Sequence, residues 1–199
     1  MLPYYSPLRE KYPEGNVELS IDELIQYAVS ESDNVACDLL FRLIGGPTVV
    51  NDFLLSLDIN DISVVATEEE MHESWDIQYR NWSTPRAAAQ LLSKFKNKKI
   101  LNSTYEYLWN VMTKTKTGAK RLKGLLPERT IIAHKTGTGP ENNDGMTSAT
   151  NDIGIITLPN GNSFAIAVFV SDSYETMETN EEIIAKISRA TYDYFLNKK

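Results

Sequence analysis

Near residue 130 the hydrophobic pattern changes period, and this change restricts the fold more than any other feature of the chain. The runs "TIIAHKTGT", "ATNDIGIITLP" and "SFAIAVFVSD" are rich in β-branched residues and are split by Gly, Asn and Pro, which predicts strands. "PNG" at residues 159–161 reads as a hairpin turn between the last two. Upstream the period is helical. Ser20 and Glu23 are spaced as a capping box ahead of Ile21, Leu24, Ile25 and Ala28, which share one helical face. A second helix is expected from Asn34 to Leu43, stopped by Gly45-Gly46, and a third from Pro47 with Val50, Phe53, Leu54 and Leu57 as its stripe. "STPRAAAQLLSKFKNKK" restarts helix behind a Ser83 or Thr84 cap, and "NSTYEYLWNVMTKTKTG" is a helix expected to end near Gly118. After the strands, "NEEIIAKISRATYDYFLNK" closes the chain as an amphipathic helix. Helices, then a sheet, then a covering helix make an α+β or mixed α/β fold.

One stretch has no sustained period. Residues 58–82, "DINDISVVATEEEMHESWDIQYRNW", are too long for a plain connector. They carry Ile, Val, Met, two Trp and a Tyr, so an ordered, packed loop is expected rather than a disordered one. Composition narrows the function classes. Of the 199 residues 42% are hydrophobic and 24% charged, with a formal charge of −7; this disfavours a nucleic-acid surface. No apolar run reaches bilayer length, and "MLPYYSPLREKYPEG" does not read as a signal peptide. The single cysteine, Cys37, permits no internal disulfide, and two histidines make a zinc site unlikely to form without carboxylates. No metal or cofactor is expected, and neither a nucleic acid nor a membrane as partner.

Two polar clusters stand out. Ser32, Asp33 and Asn34 sit at the mouth of the apolar run "VACDLLF". Such residues compete for the backbone inside helices, so they either cap a helix or present polar heads to a reacting molecule. In "AHKTGTG", residues 133–139, a strand delivers Lys135, Thr136, Gly137 and Thr138. Lys135 supplies a fixed positive charge for a carboxylate and Thr136 a hydroxyl beside it. Gly137 removes a side chain where something could lie against the strand, and Thr138 offers a backbone N–H to an oxyanion if the strand edge is open. A plain surface turn would carry the same letters.

A Ser-Asp-Asn at a helix start, a packed acidic loop and a Lys-Thr-Gly strand, in that order, belong to a motif set of penicillin-recognising serine enzymes. The sequence resembles the class A serine β-lactamases along almost its whole length. It is most similar to their PER-type extended-spectrum branch, in "YSPLREKYP", "SDNVACDLLF", "EEMHESWDIQYRNW", "RLKGLLP", "AHKTGTG" and "TNDIGI". The resemblance implies the β-lactamase/transpeptidase-like fold and hydrolysis of a β-lactam small molecule by an acyl-enzyme route. It implies that Ser32 relays a proton to the departing lactam nitrogen and that Asn34 holds the substrate's side-chain carbonyl. Lys135 and Thr136 would anchor its carboxylate, with Lys135 also polarising Ser32. Thr138 would complete half the oxyanion hole, Tyr5 would wall the entrance, and Asp33 would turn inward as a structural residue. Glu68 would be the hydrolytic base, with His72, four positions on, holding its water. His72 stands where the family more often has Asn.

The family's chemistry begins with a nucleophilic Ser and a Lys three residues later, expected before Ser32. Nothing in residues 1–31 fits. The one literal match, Ser93 to Lys96, follows the acidic loop in Lys-rich surroundings and reads as a solvated helix end. The chain therefore looks like the family without its N-terminal part, and the lone chain is expected to be inactive. The alternatives are a non-catalytic fragment that keeps a ligand pocket and a D-alanyl-D-alanine peptidase of the same fold. Expected organisation is a mostly helical lobe over residues 1–118 and a sheet with its C-terminal helix over 119–199, together one domain. A full-length member would be periplasmic or secreted, and an unpaired sheet edge could lead to self-association.

Overall fold

The computed structural model describes residues 4–97 and 104–198. It divides into two compact units, residues 1–87 and 88–199. In the first, α1 (Pro7–Lys11), α2 (Ile21–Ser30), α3 (Asn34–Ile44) and α4 (Pro47–Ser56) follow one another. The expected capping box forms at α2. The Ser20 hydroxyl accepts from the Glu23 N–H at 3.2 Å, and the Glu23 carboxylate accepts from the Ser20 N–H at 2.8 Å. Leu8, Leu24 and Ala36 form the small core of this unit, with Tyr12, Tyr27, Leu39 and Leu40 packed against it. In α4 only Leu54 of the expected stripe is fully buried, and Phe53 is exposed. Adjacent helical positions point about 100° apart, so a face centred on Leu54 leaves Phe53 outside it.

The loop over residues 58–82 is ordered and packed, as its composition implies. At its neck β1 (Ile62–Ser63) pairs antiparallel with β2 (Trp82–Ser83). Two side-chain amides replace missing ladder bonds. Asn51 donates to the Val64 carbonyl at 2.7 Å and accepts from its N–H at 2.8 Å. Asn81 accepts from the N–H groups of Val65 and Ala66 and donates to the Ala66 carbonyl. Ile59 and Ala66 are buried. Between these ties lie α5 (Glu68–Met71) and a 3-10 turn over Ile77–Arg80.

Helix α6 (Pro85–Lys96) runs from the end of the first unit into the second, and the Thr84 hydroxyl accepts from the Ala87 N–H at its start. The tail of that helical segment and the start of the next, Lys98 to Ser103, lie outside the described residues. The next helix, α7, spans Tyr105–Thr113 and stops before the expected Gly118. The reason is long-range: Thr115 turns aside and its hydroxyl donates to the His134 carbonyl at 2.6 Å, while the Thr117 and Thr136 hydroxyls are 2.6 Å apart. Gly118 (φ 67°) lies so near Thr136 that an added Cβ would stand 2.4 Å from Thr136 Cγ2.

Three antiparallel strands follow in spatial order, β3 (Ile132–Thr138), β4 (Thr147–Thr157) and β5 (Ser163–Ser173). A turn over residues 158–161 joins the last two, closed by the Gly161 N–H to the Leu158 carbonyl. Helix α8 (Met177–Asn197) starts earlier than the expected Asn180 because the Thr176 hydroxyl caps it, accepting from the Thr179 N–H. It covers one sheet face, burying Ile184 and Tyr192 with Leu122, Ile132, Ile156, Phe164, Ile166 and Val168. Among the described residues no single helix is long and apolar enough to cross a membrane.

Candidate functional site

In the first unit the Ser32–Asn34 corner is built around one buried carboxylate. Asp33, 1% exposed, accepts from the Ser6 hydroxyl at 2.9 and 3.1 Å, the Leu8 N–H at 2.6 Å and the Ala36 N–H at 2.8 Å. It is thus both the N-cap of α3 and the knot that ties α1 to it. The inward role expected of Asp33 matches this geometry. With Asp33 turned in, Ser32 and Asn34 flank it half-buried. Ser32 adopts a left-handed backbone (φ 58°), a conformation that costs a residue with a Cβ and persists only where neighbours impose it. The Asn34 N–H donates to the Tyr5 carbonyl at 3.2 Å, which brings Tyr5, its side chain exposed, to the same corner.

One helical turn beyond Asn34, Asp38 performs a similar task for the acidic loop. Buried on α3, it accepts from the N–H of Glu68 at 2.7 Å and of Glu69 at 2.9 Å. Burial pushes its pKa above the ordinary carboxylate value, against the pull of those two N–H donors. The three glutamates of α5 are not equivalent. Glu70 closes a capping box with Thr67. Glu69 is exposed beside Arg42 at 3.4 Å. Glu68 is half-buried and has its backbone fixed to α3. His72 Nδ1 lies 2.7 Å from the Glu68 carbonyl. A carbonyl only accepts, so Nδ1 carries the proton, and Nε2 of the neutral ring is an acceptor.

In the second unit the Lys-Thr-Gly segment lies on β3. The Gly139 N–H donates to the Ala149 carbonyl and the Thr157 N–H to the Ile131 carbonyl. Alternation then directs the odd-numbered residues of β3 toward β4, and the N–H and C=O groups of His134, Thr136 and Thr138 toward the outer edge. The Thr138 N–H therefore points along that edge. Lys135 Nζ donates to the Thr136 carbonyl at 2.6 Å. Thr136 is buried, with its hydroxyl on Thr117 rather than beside Lys135. At Gly137 an added Cβ would meet nothing nearer than Asn151 Cβ at 3.7 Å, so packing inside the sheet does not require glycine there.

Sequence reasoning missed Arg121. Buried beneath the strand, its guanidinium donates to the carbonyls of Gly137 at 2.9 Å and Asn151 at 3.0 Å and to the Thr138 hydroxyl at 2.8 Å, and pairs with Glu181 at 3.2 Å. Glu181 answers its charge beneath the sheet, so the positive charge at the outer edge comes from Lys135, in a chain of net charge −7. This makes a local field suited to a carboxylate. The available signal was an arginine in "RLKGLLP" followed by apolar residues. Asp38 was likewise legible as a lone carboxylate inside an apolar helical run. The Ser93–Lys96 pair behaves as expected of a helix surface: Ser93 is exposed, and Lys96 Nζ sits 4.2 Å from the centre of the Trp109 ring.

A sequence model described as the β-lactamase enzyme family matches residues 3–195. The chain is 49% identical to the β-lactamase VEB-1 of Pseudomonas aeruginosa over 197 residues, covering 98% of this chain and 65% of VEB-1. It is 46% identical to the extended-spectrum β-lactamase PER-1 of the same organism, covering 98% of this chain and 63% of PER-1. The chain thus spans just under two thirds of the length of these relatives. The crystal structure of the TLA-3 extended-spectrum β-lactamase superposes with a TM-score of 0.97 at 55% identity, over 99% of this chain and 72% of that one.

Proposed function

The chain belongs to the β-lactamase enzyme family, within class A, and from that premise we propose that its polar corner, acidic loop and strand edge serve β-lactam hydrolysis through an acyl-enzyme. The observation that carries this reading is the outer edge of β3, where an outward Thr138 N–H stands with the Lys135 ammonium in an otherwise acidic chain. A β-lactam carries a carboxylate and, once attacked, an oxyanion; this edge offers a partner for each. Lys135 holds the carboxylate, with Arg121 and Thr136 stiffening the strand from below. Gly137 leaves the edge open for the ligand to approach. Ser32 passes a proton to the ring nitrogen as it departs, and Asn34 holds the acylamino carbonyl beside the Tyr5 wall. Glu68 takes a proton from the water that attacks the ester, and His72 accepts a hydrogen bond from that water at Nε2.

The nucleophile is not assigned within these 199 residues, because the only Ser-x-x-Lys starts at the exposed Ser93, with Lys96 on the Trp109 ring. In this reading the 199-residue chain alone does not turn over β-lactam. The experiment is a nitrocefin assay on the chain alone beside the same chain joined to the Ser-x-x-Lys-bearing segment of VEB-1. Hydrolysis by the joined protein only supports the reading. Hydrolysis by the chain alone would relocate the nucleophile, and none in either would favour a ligand-binding protein.

Self-association is the second part of the reading. Among the described residues β5 pairs only with β4, so its other edge is open. Segment 119–125 is bound to one flank of α8 through Arg121–Glu181, Lys120–Glu178 and Arg189–Leu125. Ile183, Ile187 and Tyr194, all exposed, line the opposite flank, on the β5 side. Two copies packed along that apolar flank would bury it while pairing their β5 edges. Light scattering on the 199-residue chain tests this: a dimer that Ile187→Glu dissociates supports it, and a monomer at every concentration refutes it.

A further inference from the structure

Beneath the β3 edge lies a titratable pair to which the reading above gives no task. His134, 2% exposed, and Asp152, 0% exposed, face each other across β3 and β4, with His134 Nδ1 at 3.1 Å from both Asp152 oxygens. The carboxylate accepts, so Nδ1 donates. Asp152 Oδ2 also accepts the Leu122 N–H at 3.2 Å, next to Arg121. The strand register leaves space for the ring. His134 lies opposite Gly154, where an added Cβ would stand 2.8 Å from the His134 Cβ and 2.9 Å from the Ala133 carbonyl. On the other side β5 places Val168 and Ile166 across from Asp152 and Gly154.

Stability gives little reason for such a pair. Taking two charged or polar groups out of water costs about as much as their attraction returns, and well-packed apolar residues often do as well. What the pair does supply is a fixed geometry among three segments. It bonds β3 to β4 through side chains as well as the ladder, and it bonds both to the turn that carries Arg121. Arg121 in turn holds the Gly137 carbonyl and the Thr138 hydroxyl. Lys135 follows His134 directly in sequence, so a tilt of β3 at His134 moves the ammonium at the edge.

We propose that the buried His134–Asp152 pair is the positioning element of the carboxylate-binding edge, holding β3, β4 and the Arg121–Leu122 turn in the one register that presents the Lys135 ammonium to an anion at the outer edge. The inference rests on the carboxylate reading of that edge. It assigns no reacting role to either residue.

The test uses the isotope-labelled 199-residue chain with benzylpenicillin and its methyl ester as probes, following the backbone amides of Lys135 to Thr138 by NMR. Wild type binds the acid more tightly than the ester. His134→Ala lowers that acid-to-ester ratio by about tenfold, the value of one charge-assisted contact, while ester binding stays the same. His134→Asn restores most of the ratio, because its Nδ2 falls near the imidazole Nδ1 and donates to Asp152. A part that is merely structural would lower the melting temperature in both variants and leave the ratio unchanged, and that result overturns the proposal. If wild type does not distinguish acid from ester, the carboxylate reading itself fails and this inference falls with it. Where His134→Ala does not fold, Asp152→Asn replaces it: a lost ratio supports the positioning role and a retained ratio overturns it.

Discussion

The Ser32–Asn34 corner and the β3 edge solve opposite problems of hydrogen bonding. The corner and the acidic loop are irregular chain with helix starts, so they leave backbone N–H groups without partners. Buried acceptors answer them: Asp33 for Leu8 and Ala36, and Asp38 for Glu68 and Glu69. The β3 edge is a strand already satisfied on one side. There side-chain donors answer carbonyls: Thr115 for His134 and Lys135 for Thr136 on the outer edge, and Arg121 for Gly137 and Asn151 within the sheet. A loop held by a carboxylate depends on that carboxylate, whereas a strand held by its ladder depends less on any one donor.

The largest effect is therefore expected at Asp33. Asp33→Ala leaves the Leu8 and Ala36 N–H groups and the Ser6 hydroxyl without their acceptor and costs about 3 to 5 kcal/mol, read as the loss of urea-unfolding free energy. A loss below about 1 kcal/mol would break the comparison at its stronger end. Arg121→Lys comes next. An ammonium cannot fork to two carbonyls and a hydroxyl at once, so a loss of about 2 kcal/mol is expected, smaller than at Asp33 because the β3–β4 ladder survives. Equal losses at the two sites would remove the distinction.

These two residues also mark how far the sequence was legible. Order and type of elements were, because capping signals at Ser20 and Pro47, the change of period near residue 130 and the turn at 159–161 are all local. The inward turn of Asp33 was anticipated through the family resemblance. Arg121 and the His134–Asp152 pair were not, because their partners lie 16 to 30 residues away in the chain. The end of α7 was misplaced for the same reason: Thr115 leaves the helix for the His134 carbonyl, a long-range bond that outweighs local helical preference. Phe53 was assigned to a stripe that the burial of Leu54 leaves too narrow to include it.

A third expectation concerns pH. Burial raises Asp38 above the ordinary carboxylate value, so its native carboxyl binds a proton more tightly than the unfolded one does. The stability this contributes is complete below the unfolded value, about pH 4, and is lost as the pH rises through the higher native value. Asp38→Asn cannot titrate and flattens that part of the stability–pH curve, measured by thermal melts between about pH 3.5 and 6. A variant curve parallel to wild type would show that the carboxyl behaves as one in water. The smallest effect is at Arg42–Glu69, where both side chains are mostly exposed. Arg42→Gln shifts stability by no more than about 0.5 kcal/mol, and a loss of 2 kcal/mol or more would mean that this surface pair helps to hold the acidic loop, a task the comparison gives to Asp38.

The account depends most on Glu68, the one glutamate of α5 that is half-buried, tied to α3 and adjacent to a histidine whose free nitrogen accepts. The direct measurement is intact-protein mass spectrometry of the VEB-1-joined chain carrying Glu68→Gln, mixed with benzylpenicillin. The amide keeps the shape and cannot take a proton from water. The predicted result is a penicilloyl adduct that persists while the parent protein clears its own. Turnover at the parent rate with no trapped adduct would contradict the account and move the hydrolytic base elsewhere.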